Sequence, residues 1–325
     1  MDNGTRPRGL KGVLKAFLVW FKQNQWARTG LTAVLIVTPM ALLVRNLIIN
    51  WGSLQETAIQ IRWGRMGFTL LILLVGFGLL PLGTLSSLRA LGSALSFSKA
   101  YYAYHASQLG KYLPGRIWII PGRAVIMRGF GVDPILGGAG ALLETYLLIV
   151  TGVVAFLPYM FLVPRDSIRQ LAIIGMILSF PALLILFFPK LLNWLLGVFL
   201  KWLKRPAVHI AYSWKQIVVM LGVYLGFWFV SGTGFYILID SFYPLNGQAF
   251  LQIVGVLGFS WVVGFISFLT PAGIGVREGA MGFLLAPLIP DPFPALIAIA
   301  SRIWWSLADL ASIGAAFLLF RTKRD

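Results

Sequence analysis

The sequence contains no cysteine. Disulfides, thiolate metal sites and cysteine nucleophiles are therefore excluded. Histidine is nearly as scarce, with His105 and His209 alone, so neither a histidine-rich metal centre nor an acyl-transfer triad is expected. Charge is also sparse, at 11% of residues, and acidic residues number only 10. No P-loop occurs. The GIG of residues 273–275 is not a nucleotide fingerprint, because no strand or βαβ unit surrounds it. No cofactor and no metal is expected.

What the chain has instead is apolar length. Hydrophobic residues make up 58% of its 325 positions, in continuous runs that do not alternate with polar ones. A hydrocarbon core about 30 Å thick needs roughly 20 apolar residues of helix. The runs predict spans near 30–50, 67–84, 135–163, 168–189, 216–239 and 249–270, a short one near 279–290, and one at 295–320. The expected fold is all-α: a polytopic integral membrane helical bundle of about eight spans, forming one domain over 1–325. No separate soluble domain is expected.

Residues 10–28, LKGVLKAFLVWFKQNQWAR, place Lys11, Lys15 and Lys22 on one helical face and Leu10, Val13, Leu14, Phe17 and Phe21 on the other. This predicts an interfacial amphipathic leader over 1–29, lying on the cytoplasmic membrane surface rather than being cleaved. Basic residues cluster in that leader, in segments 85–134 and 190–215, and in the tail. The connections at 51–66, 164–167, 240–248 and 291–294 hold only Arg62, Arg65 and Arg165. By the positive-inside rule this alternation predicts a multi-pass protein of the cytoplasmic membrane with both termini in the cytoplasm. It also accounts for the net charge of +17 without invoking nucleic acid.

Two stretches interrupt the apolar pattern. Residues 113–115 read LPG and 269–273 read LTPAG, each with arginine close behind. Pro114, Gly115, Pro271, Gly273 and Gly275 are the expected helix breaks, the prolines removing backbone donors and the glycines letting the chain turn. PGR occurs twice, at 114–116 and 121–123, and each copy is read as stopping a helix. Paired Pro/Gly-interrupted segments in two halves of a chain point to a transporter's binding site, as re-entrant elements or as kinks. The basic residues near the breaks, Lys111, Arg116, Arg123, Arg128 and Arg277, are the candidate ligands of an anionic lipid headgroup, aided by half-helix N-termini.

Ionisable residues inside spans are costly and normally face protein or water. Arg45 is read as snorkelling to the outer interface. Glu144, Arg277, Glu278, Arg302 and Asp309 are expected to line one polar path. Arg302 and Asp309 lie two turns apart and need other partners; Glu144 is the first candidate for Arg302, and Glu278 the second. Arg277 and Glu278 point about 100° apart, so Arg277 is assigned to the headgroup and Glu278 to an internal pair. The GxxxG at Gly222 and Gly226 is read as a helix-packing motif.

The stretch QLGKYLPGRIW (108–118), Arg123 and Arg128, Glu144, and TPAGIGVRE (270–278) together resemble the lysylphosphatidylglycerol synthase transmembrane-region family. That family comprises the flippase-like membrane portion of bacterial multiple peptide resistance factors and many stand-alone relatives, and the resemblance covers nearly the whole chain. It implies a helical bundle that binds or moves charged lipids. The synthase members carry an aminoacyl-tRNA-dependent transferase domain after this portion; none is expected here, so lysyl transfer is not carried over. The leading reading is a lipid translocator. The alternatives are a membrane-embedded lipid or glycan transferase with Glu144 or Glu278 as base, and a scaffold for a glycosyltransferase. The corresponding partners are membrane lipids or a lipid-linked substrate, a second copy of the chain, and a separate glycosyltransferase.

Overall fold

A computed structural model describes residues 62–112, 118–163, 189–202, 213–267 and 270–321, together with Ala41, Val44, Arg45, Ile48 and Ile49. The amphipathic leader, most of the span near 30–50, the span near 168–188, and Pro114, Gly115 and Arg116 lie outside the described residues.

The described chain is all helical. In order it forms α1 (Trp63–Ala90), α2 (Phe97–Ser107), α3 (Ile119–Arg128), α4 (Pro134–Leu162), α5 (Pro189–Trp202), α6 (Trp214–Asp240), α7 (Phe250–Ile266), α8 (Val276–Leu285) and α9 (Phe293–Arg321), with short 3-10 turns at Gln108–Tyr112, Gly247–Ala249 and Pro271–Gly273. Five segments are long and apolar enough to cross a membrane: α1, α4, α6, the Gly247–Ile266 segment and α9. Two of them start on a side-chain cap. Asp133 caps α4 by accepting from the amides of Ile135 and Leu136, and Pro134 fills the first helical position. Ser213 and Gln216 close a capping box on α6.

The helix directions follow from pairs that touch. Thr84 reaches Glu144, a Cβ on Gly140 would meet Leu88, and one on Gly76 would meet Ser231, so α1 runs antiparallel to α4 and α6. Arg65 at the start of α1 holds Asp240 at the end of α6, 2.6 Å away. Call this the Asp240 end, and the opposite one the Arg89 end. α7 and α9 both start at the Asp240 end, where Tyr243 packs on Phe293.

Two helical hairpins enter this bundle from opposite ends. From the Arg89 end, α2 runs inward past Phe317 and Phe320, and α3 returns so that Phe130 reaches Phe320. From the Asp240 end, α7 runs inward and α8 returns, with Leu284 accepting a hydrogen bond from Tyr159 near the end of α4. The 3-10 turns at the two tips, Gln108–Tyr112 and Pro271–Gly273, touch one another. Glu144 lies ten residues into α4, about 15 Å along its axis, and Arg302 nine residues into α9, about 14 Å from the other end. The tips therefore meet in the middle third of the bundle.

Small residues let the helices approach closely. A Cβ on Gly258 of α7 would stand 3.0 Å from the Gly152 carbonyl of α4, and one on Gly255 2.9 Å from that of Ala155. Among the described residues the GxxxG of α6 brings only Gly226 near another helix, where a Cβ would stand 3.8 Å from Leu79 of α1. Gly222 is exposed with no described residue near it, because the stripe facing α1 runs through Tyr224, Phe227 and Ser231. The outer faces carry Phe68, Leu71 and Val75 of α1 and Ile303, Leu307 and Leu310 of α9, all exposed. Exposed apolar residues at helical spacing are the faces of a bundle solvated by lipid.

Three sequence expectations change. The first described span is longer, Trp63–Ala90, and passes through Pro81 without stopping. Pro121 does not end a helix: it sits third in α3, where a backbone amide has no intrahelical partner to lose. The basic segment 190–215 contains a 14-residue helix, α5, about 21 Å long and too short to span upright.

Candidate anion site at the hairpin tips

The second break shows how the sequence builds a site. Past Ile266 the backbone turns at Pro271–Gly273 with Ala272 at φ 50°, Gly273 at 68° and Gly275 at 84°. Glycine takes these left-handed conformations at no steric cost, and Ala272 is held there from outside. Arg302 of α9 donates to the Ala272 carbonyl at 3.0 Å. Glu278 reaches back to the Gly275 amide at 2.7 Å, capping its own helix, and its other oxygen faces Arg302 Nη1 at 3.3 Å. Glu278 is thus committed inside the protein, as its place in the sequence suggested. Arg277, one residue earlier, turns elsewhere and lays its guanidinium 4.4 Å from the Trp305 ring centroid.

The first hairpin contributes from the other side. Lys111 at its tip pairs with Asp309 of α9. Arg123 in α3 pairs with Glu144 of α4 at 2.5 Å, donates through Nε to Ser107 at 3.0 Å and lies over the Tyr104 ring at 4.1 Å. Both partners are nearly inaccessible, at 3% and 1% exposure.

These groups surround one cavity of about 90 Å³ lined by Lys111, Arg123, Glu144, Arg277, Arg302 and Asp309, with Tyr104, His105, Trp261 and Trp305 among its aromatic walls. At about 10–15 Å³ per water-sized guest, it has room for a phosphate-sized group but not for a lipid. In this cluster of described residues, four cations meet three carboxylates, leaving one positive charge in excess. Within a low-dielectric bundle that excess favours an anion.

Two acceptor atoms on the cavity wall have no hydrogen-bond partner among the described residues: Glu144 Oε1 and His105 Nε2. His105 is 1% exposed. Its ring makes a hydrogen bond to the Phe77 backbone. The Phe77 group open to it is the carbonyl, so the imidazole donates. The carbonyl is open to it because Pro81, four residues on, lacks an amide. Donation from Nδ1 leaves Nε2 of the neutral ring as an acceptor.

Most of the residues singled out from sequence converge here, with corrections. Glu144 does not pair with Arg302. It faces Arg123, because α3 folds back along the first turns of α4 while Arg302 lies at the second break. Arg123 is not a freely offered headgroup ligand but half of a buried ion pair. Arg128, one and a half turns further on, is exposed at the Arg89 end, about 8 Å along the axis from Arg123, and does not line the cavity. Sequence reasoning missed Tyr104, His105, Trp305 and Gly264. A Cβ on Gly264 of α7 would stand 2.7 Å from Arg277 Cβ, so only glycine lets Arg277 sit where it does. The one signal for these residues was aromatic content beside the breaks, which membrane interfaces also explain. No known protein family and no curated protein matches the chain.

Proposed function

We propose that this chain is a multi-pass protein of the cytoplasmic membrane that takes the anionic headgroup of a lipid, or of a lipid-linked substrate, into the central cavity and passes it across the bilayer. This agrees with what the resemblance to the flippase-like family implies. The observation that carries the reading is the convergence of Lys111, Arg123, Arg277 and Arg302 on one cavity between two hairpin tips. Broken helices meeting at mid-bundle from opposite ends are the arrangement by which many transporters hold a charged substrate. In the bilayer the two hairpins act as re-entrant elements entering from opposite leaflets.

The orientation in this proposal follows charge. Arg89, Lys99, Arg128 and Lys215 are exposed at the Arg89 end, whereas Arg62 and Arg65 at the other end lie within ion-pair reach of Asp240. The Arg89 end then faces the cytoplasm. The test is purification of the full chain with native lipids, followed by mass spectrometry of what is retained. Enrichment of anionic over zwitterionic lipid, lost in Arg277→Ala, supports the proposal. A retained lipid profile identical to that of the surrounding membrane overturns it.

A further inference from the structure

We propose that Trp305 is a positioning residue of the cavity: its indole fixes the direction of the Arg277 guanidinium, and so acts on the ligand through that arginine. The inference rests on the proposed anion site and adds the part that aims one of its cations.

Arg277 and Glu278 are adjacent in sequence, and α9 grips both with two residues one turn apart. Arg302 faces Glu278 at 3.3 Å. Trp305 is three residues further on, and so on the same side of α9. Its ring centroid lies 4.4 Å from the Arg277 guanidinium carbon. The stem of Arg277 is confined by Gly264 of α7, where an added Cβ would stand 2.7 Å from the arginine Cβ. The ring has little freedom of its own, since Trp305 is 7% exposed. Phe77 of α1 and Phe227 of α6 meet it edge-on, with centroids 5.2 and 6.2 Å away. Three helices therefore hold the platform on which Arg277 rests.

A ring in this place does what a carboxylate could not. It attracts the cation through its π face and leaves the charge in place. A carboxylate would accept two of the N–H donors and neutralise the group. Trp305 thus offsets part of the cost of holding a cation at membrane depth and keeps the positive charge on the cavity wall.

The experiment compares Trp305→Phe, which keeps a ring, with Trp305→Leu, which keeps only an apolar side chain. The first readout is the Arg277 Nε–H resonance of the full chain in micelles, assigned by its loss in Arg277→Lys. The ring should shift it upfield in the wild type and in Trp305→Phe, and the shift should vanish in Trp305→Leu. The second readout is affinity for phosphatidylglycerol in mixed micelles. It should fall about threefold to tenfold in Trp305→Leu, the equivalent of ordering one long side chain on binding, and less in Trp305→Phe. A resonance that Trp305→Leu leaves unchanged overturns the inference, and so does wild-type affinity in that variant. Equal losses of affinity in the two variants, in step with their melting temperatures, assign Trp305 to packing alone and overturn it as well. If the wild-type chain binds phosphatidylglycerol no better than phosphatidylcholine, the anion site falls and the role of Trp305 with it, whatever the resonance shows.

Discussion

Arg123→Met should cost about 3–5 kcal/mol of unfolding free energy, whereas Arg123→Met combined with Glu144→Leu should cost far less. The two side chains are 3% and 1% exposed and 2.5 Å apart. Removing the arginine alone strands a carboxylate whose remaining donor is Thr84 Oγ1 at 3.0 Å. It also uncovers the Tyr104 ring, a contact of about 0.5–2 kcal/mol. Ser107 loses little, because its hydroxyl still donates to the Tyr104 carbonyl at 2.7 Å. Removing both charges together abolishes the attraction and the desolvation penalty at once, which for buried pairs is often neutral. What is left is mainly the unmet Thr84 hydroxyl, about 1–3 kcal/mol. The two substitutions should therefore be coupled by about 2 kcal/mol or more. Unfolding in mixed micelles measures this, with the 12 tryptophans as the fluorescence signal. Single losses that simply add in the double variant would show that the two ions are hydrated through the cavity, and would refute the reasoning.

Arg277→Ala should abolish anionic-lipid retention with normal expression, while Glu278→Ala, which loses the bond to the Gly275 amide and the contact with Arg302, should lower stability by about 1–3 kcal/mol. The reverse pattern in lipid retention and thermal unfolding would mean that the two roles are exchanged. Gly264→Ala puts a methyl group 2.7 Å from Arg277 Cβ and should both destabilise by about 1–3 kcal/mol and weaken lipid retention. Wild-type retention in that variant would separate Arg277 from the site. Reporters fused at the C-terminus and within 240–248 should lie on opposite sides of the membrane, and finding them on one side would sink the proposed orientation.

Much of the architecture was legible because the physics behind it is local. Apolar runs longer than a bilayer is thick become long helices whatever surrounds them, and α4, α6 and α9 fall within a few residues of their expected bounds. TPAGIG breaks its helix because proline lacks a donor and glycine tolerates positive φ, both properties of single residues. The split between Arg277 and Glu278 was equally local, since adjacent helical residues point about 100° apart. Pro121 was misread because the effect of a proline depends on where in a helix it falls, and that boundary was set by the hairpin it belongs to.

The pairing of charges was decided by tertiary structure. Sequence placed Glu144, Arg302 and Asp309 inside spans and Arg123 beside a break but left open which would meet, because pairing depends on helix direction, rotation and neighbour. Two hairpins inserted from opposite ends carry Arg123 to Glu144 and Lys111 to Asp309, and leave Arg302 to hold the second break. The same arrangement turns His105, a solitary residue in the sequence, into a buried acceptor on the cavity wall, because Pro81 in another helix frees the carbonyl its ring reaches. Residue order set the long apolar helices and the break at TPAGIG. The site itself exists only where the two tips come together, since a cavity and its charge balance are properties of surfaces that no single segment contains.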